Sequence, residues 1–253
     1  MDTQNQIFSD YSLNQSQTHS VSKSFMANVF LWMGGALLIS AFFAWLFASN
    51  QEYMSYLQQE TFKGKSLTTL GWAVQLSPIA FVFIMSLGFS RLSPSAMGAL
   101  FIAYAAVTGI SFSFILLYYT AGSVIGCFLS AAVMFIIMAV MGYTTSKDLT
   151  SFGRILIMAL IGVVVASVIN WFMDSAQMDY IISLVGVAVF TGLVAYDVQK
   201  LKRIAMGIEL NSEGEARMVK GNTAKLSILG ALNLYLDFIN IFLFLIRLFG
   251  RRK

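Results

Sequence analysis

The sequence predicts an all-α membrane protein with seven transmembrane helices, and three observations carry that prediction. Hydrophobic residues make up 58% of the chain and charged residues only 11%, where a soluble domain carries roughly a quarter charged residues. Long apolar runs recur seven times, at 25–49, 67–89, 96–119, 122–143, 152–173, 180–196 and 226–249. Most links between them are short and polar: "SRLSPS", "TA", "TTSKDLTS" and "DSAQMD". Short links make antiparallel neighbours and a single bundle. Each run spans a hydrocarbon core of about 30 Å at about 1.5 Å per residue, the sixth only just. Helix is the state that satisfies every backbone polar group within one such run.

Taken in order, residues 1–24 are rich in Gln, Ser, Asn and Asp and read as a disordered polar tail. They lack the basic start and apolar stretch of a signal peptide. Residues 25–253 form one seven-helix transmembrane domain, with longer connections only at 50–66 and 197–225. The second run holds no charge, only Gln75 and the kink-prone Pro78. The sixth ends on an acid, Asp197, in "VFTGLVAYDVQKLKR", and the seventh holds Asp237 at its centre in "LGALNLYLDFINIFLFLIRLFG".

Orientation follows from Lys and Arg. With the N-terminus in the cytoplasm, the inner segments hold Lys23, Arg91, Lys147, Arg154, Lys200, Lys202, Arg203, Arg217, Lys220 and Lys225. The outer ones hold Lys63, Lys65, Arg251, Arg252 and Lys253. Ten against five favours a cytoplasmic N-terminus and an outer C-terminus in the cell inner membrane. The basic "RRK" end pulls the other way, and would lie inside if the seventh helix were re-entrant.

Composition also excludes chemistry. One cysteine, Cys127, allows no intrachain disulfide, and the single histidine, His19, lies in the polar tail. A Cys or His metal site and most hydrolase chemistry go with them, so the protein reads as no enzyme and as holding no tightly bound cofactor. The net charge of +4 concerns topology and the membrane surface. Basic and aromatic residues are not interleaved as a nucleic-acid groove needs.

Asp197 and Asp237 are the acids within the apolar runs, while Arg91 and Arg247 mark the ends of the second and seventh. An ionisable residue at mid-membrane costs at least ~2.5–3.5 kcal/mol and marks a functional site by default. The bland alternative is a protonated or paired carboxyl that glues helices. On the seventh helix, Gly230, Asn233, Asp237 and Asn240 fall at i, i+3, i+7 and i+10, one stripe that belongs toward the interior or a watery path. A small-residue packing seam explains the glycine and the asparagines but not the aspartate.

"FTGLVAYDVQKLKR", "LSILGALNLYLDFINIFLFLIRLFG" and "MGYTTSKDLTSFG" resemble the Bax inhibitor-1 family, also called the transmembrane Bax-inhibitor-motif family, in its bacterial branch. The resemblance implies a last helix that is central and wrapped by two three-helix layers. It also implies a pH-sensitive calcium leak gated by an aspartate pair, which maps onto Asp197 and Asp237. A basic latch at the end of helix two maps onto Arg91, and an arginine late in helix seven onto Arg247. The chain departs from the family in lacking the acid that some members carry in helix two, and in its long charged connection "GIELNSEGEARMVKGNTAK".

Two carboxylates at close range in a low dielectric do not readily both ionise, so such a pair shares a proton and titrates as a unit. Losing that proton leaves two repelling anions, which favours separation of the helices or capture of a cation. Calcium takes six to eight oxygen ligands; Asp197, Asp237, Asn233, Asn240 and waters are the expected set for a transient site. The expected partners are lipid, calcium ions, protons and possible membrane proteins. Depth is the difficulty. Asp197 is three residues from Lys200, about 4.5 Å, and Asp237 twelve from Lys225, about 18 Å. Helices starting at one plane would hold the acids over ~10 Å apart in depth.

The main rival is a non-conducting regulator that binds membrane proteases or other partners. An intramembrane aspartyl protease also pairs aspartates on neighbouring helices, but Leu234, Tyr235 and Leu236 stand where its Gly-x-Gly belongs, and "PAL" is missing. A retinal-type receptor lacks its lysine inside helix seven. A proton-coupled transporter would show inverted repeats or broken helices.

Overall fold

A computed structural model describes the backbone of residues 2–61, 64–210 and 216–253, and the side chains of 22–59, 66–206 and 223–253. The protein is an all-α membrane protein. Its helices are α1 (Asp2–Ser49), α2 (Gln51–Leu57), α3 (Thr69–Leu87), α4 (Pro94–Tyr118), α5 (Ala121–Thr144), α6 (Thr150–Met173), α7 (Ala176–Leu210) and α8 (Ala216–Phe249). All but α2 contain a stretch long and apolar enough to cross a membrane. Side-chain caps set several starts: the Thr68 hydroxyl accepts the Gly71 N–H at 3.0 Å and the Ser93 hydroxyl that of Ala96 at 3.2 Å. Pro94, which has no N–H to waste, follows Ser93 at the first turn of α4. Asp174 closes α6 at φ 47°, the left-handed conformation that ends helices.

The outer faces are apolar. Leu31, Leu87, Trp171 and Phe172 are among many large hydrophobic side chains that point away from the bundle, which is the solvated surface in hydrocarbon. The last span is the most buried of the seven. Helix α8 packs on α1 and α4 on one side and on α5 and α7 on the other; α3 stands outside against α4, and α6 outside against α7. Helix α1 also meets α7, and α3 and α6 stand one row further out from α8. Aromatic rings knit the centre, with Tyr235 edge-on to Tyr104 and Phe101, and Phe238 edge-on to Phe128 and Phe135. Ser40 donates to the Ala105 carbonyl at 2.7 Å and meets the Tyr235 hydroxyl at 2.7 Å. That bond ties α8 to α1 and α4 without leaving a polar group stranded.

Secondary structure extends into three segments outside the seven apolar runs. The segment expected to be a polar tail, 1–24, continues α1 from Asp2, because extending an existing helix costs far less than nucleating one. The connection 50–66 holds α2 and a hairpin, β1 (Gln58–Thr61) against β2 (Gly64–Leu67), with Gln58 opposite Leu67 and Thr61 opposite Gly64. The connection 197–225 is mostly helix, α7 running on to Leu210 and α8 starting at Ala216; residues 211–215 lie outside the described residues. The seventh helix is not re-entrant. Its "RRK" end pairs with the α4–α5 link, with Arg252 bridged to Tyr119 and the Lys253 ammonium donating to the Leu116 carbonyl at 2.8 Å.

Candidate functional site

Helices α7 and α8 pack antiparallel, and glycines set their separation. A Cβ on Gly230 would meet the Leu201 side chain at 2.5 Å, and one on Gly186 the Phe244 ring at 2.5 Å. Between these two contacts, Asp197 of α7 and Asp237 of α8 come together, carboxyl beside carboxyl. Asp237 is buried, 5% exposed, and its Oδ2 finds no donor among the described residues; Asp197 is half-buried. Two ionised carboxylates only accept, so the pair can form a hydrogen bond only when one of them carries a proton. The depth difficulty disappears because neither helix starts at the plane of the basic residues. Lys225 lies well inside α8 and reaches sideways, donating to the Phe89 and Leu92 carbonyls at 3.0 Å each and lying 5.2 Å over the Phe89 ring.

Close seating holds the Asp197 helix on its far side. On α5, a Cβ at Gly142 would overlap the Ala195 backbone, and on α6 one at Gly153 would overlap the Tyr196 ring. Both glycines belong to "MGYTTSKDLTSFG". Ala195 and Tyr196 are the two residues before Asp197, so these contacts fix the backbone from which its carboxyl projects.

The family model described as inhibitor of apoptosis-promoting Bax1 (Bax1-I) matches residues 22–253. The chain belongs to the Bax inhibitor-1 family. The inner membrane protein YbhL of Escherichia coli K12 is 40% identical over 231 residues, covering 91% of this chain and 93% of that protein. An uncharacterized protein of Deinococcus radiodurans is 37% identical over 95% of this chain and 96% of its own length, and one of Borreliella burgdorferi 36% identical over 92% and 94%.

The arginine that the Bax inhibitor-1 resemblance offers as a latch is elsewhere. Arg91 sits exposed on the turn after α3, its N–H bonded to the Gly88 carbonyl at 3.0 Å. Its guanidinium has no ion pair or hydrogen bond among the described residues. The reason is packing: α3 lies on α4, not on the α7–α8 seam, so a side chain from its end does not reach the pair. Among the described residues, the cation near Asp197 is Lys200, one turn along its own helix. Arg91→Ala is therefore expected to leave the pH profile of any calcium flux unchanged, measured in dye-loaded liposomes against wild type.

The polar stripe also divides. Gly230 and Asp237 face α7, but Asn233 is exposed and Asn240 is half-buried, donating at 2.8 Å to Leu236 of its own helix. Three residues turn a helix by about 300°, enough to carry these amides from the seam to its flank. The ligand set of Asp197, Asp237, Asn233 and Asn240 is thus not brought together, and the described residues hold no cluster of three or more acids, histidines or cysteines for a metal. Arg247 lies at the other end of the seam, 3.8 Å from Asp179 and 5.6 Å over the Phe244 ring. The sequence reading missed Gly142, Gly153, Gln199 and Lys225. The first three sit inside the quoted motifs, and that was the available signal.

Proposed function

We propose that this protein is a pH-sensitive, calcium-permeable leak channel of the cytoplasmic membrane, with Asp197 and Asp237 as its sensor and gate. The observation that carries the reading is the meeting of two carboxyl groups, one of them almost wholly buried, on the seam between α7 and α8. With a shared proton the pair bonds α7 to α8; without it, two anions repel across a seam of low dielectric. Calcium is cargo here. Two carboxyl groups attract a passing cation but fall short of the six to eight oxygens of a resident site. The excess of Lys and Arg in the segments on the side of the N-terminus supports a cytoplasmic N-terminus, and the name of the E. coli relative supports the inner membrane.

Proteolysis fits the pair poorly. Leu234 and Tyr235, just before Asp237, are fully buried, which leaves no room for a peptide beside that backbone. Purified protein in liposomes loaded with a calcium dye, followed across a pH series, tests the reading. A protein-dependent leak that varies with pH is the expected result. Liposomes that stay as tight as protein-free ones at every pH would instead favour a non-conducting regulator.

A further inference from the structure

The motif "MGYTTSKDLTSFG" takes no part in the aspartate contact, yet the structure binds it to the helix that carries Asp197. Two residues beyond Asp197, Gln199 is 6% exposed and spends both ends of its amide on the α5–α6 link. Its Oε1 accepts the Leu149 N–H and its Nε2 donates to the Lys147 carbonyl, each at 2.8 Å. One turn further, Arg203 donates to Asp148 at 2.5 Å, to Thr150 at 2.9 Å and back to Gln199 at 2.9 Å. Lys202 donates to the Tyr143 carbonyl at the end of α5 at 2.8 Å and lies 5.0 Å over the Tyr143 ring. These bonds join the seats at Gly142 and Gly153, so α7 is fastened to both α5 and α6 where it bears Asp197. Among the described residues from Lys225 on, α8 makes no side-chain hydrogen bond to α5 or α6 at this end; Phe238 meets Phe128 and Phe135 of α5 by ring contact alone, and the polar tie, Lys225, goes to the α3–α4 turn.

We propose that the α5–α6 link is a clamp that makes α7 the stationary side of the aspartate pair and α8 the side that moves, with Gln199 as the positioning residue. This rests on the reading that the pair's separation gates the leak. A buried amide bonded at both ends to backbone has no second set of partners, so a shift of α7 would strand the amide and two backbone groups. The charged groups around the clamp are Lys147, Asp148, Arg154, Lys200, Lys202 and Arg203. Thr150 and Arg203 hold the Asp148 carboxyl well below the usual carboxylate range. It therefore stays ionised from neutral pH down past the ordinary aspartate value, and the clamp keeps its charge while the pair exchanges a proton.

Spin labels in a Cys127→Ser background, in liposomes, test this by electron paramagnetic resonance. One labelled pair, Ser151→Cys with Met206→Cys, spans the clamp at exposed positions; the other, Met206→Cys with Ala224→Cys, spans α7 and α8. Across the pH series the first distance is expected to stay constant and the second to change. A first distance that shifts with pH, or a second that stays constant, overturns the proposal whether or not calcium flows. Gln199→Leu is expected to broaden the first distance distribution, and Asp148→Asn, an exposed change that spares the fold, to broaden it less. Unchanged distributions in both variants would overturn the clamp even in a protein that leaks calcium as proposed.

Discussion

Asp237→Asn protein, reconstituted in liposomes, is expected to leak calcium at one fixed level across the pH range over which wild type varies. The amide has nearly the shape of the carboxyl and fits the same buried site. It donates to Asp197 permanently and exchanges no proton. A pair that shares one proton needs both members to titrate, so the entire pH-dependent component is lost rather than shifted. The fixed level is set by whether the permanent bond holds the seam as the shared proton does. A variant that keeps the wild-type profile would remove Asp237 from the sensor.

Gly142→Val is expected to destabilise the fold by about 1–3 kcal/mol or more, the usual cost of forcing extra atoms into a packed contact. The new side chain would enter the Ala195 backbone, and backbone does not swing aside as a flexible side chain does. Gly162→Val is the matched control, since a Cβ there meets nothing within 4 Å. Thermal unfolding in detergent should show a clear drop in Tm for the first and little change for the second. Equal behaviour of the two would contradict the close seating of α7 on α5.

The seven spans were legible because a bilayer dictates both length and composition, and few soluble helices meet both demands. The two aspartates were legible for a related reason: charge is costly in hydrocarbon, so each acid inside an apolar run stands out. The hairpin and α2 were not, because in "NQEYMSYLQQETFKGKSL" no run is long enough to show a period. The depth of Asp237 does not follow from the sequence, because a basic residue need not mark a membrane edge: Lys225 reaches sideways to carbonyls on the turn after α3. Nor does helical spacing fix orientation to better than a neighbouring row, which is how Asn233 and Asn240 came to be grouped with Asp237. Arg91 shows a further limit. A basic residue at a helix end says which side of the membrane it prefers, not which helix that end packs against.

One proton, shared by Asp197 and Asp237, is proposed to set the calcium leak. Infrared titration of the reconstituted protein, with leak measured on the same liposomes, tests it most directly. A shared proton requires a protonated-carboxyl band that disappears over the same pH interval in which the leak changes, and that is missing from Asp237→Asn protein. A band that persists unchanged in Asp237→Asn, or a leak that changes at a pH where the wild-type band does not, would contradict it.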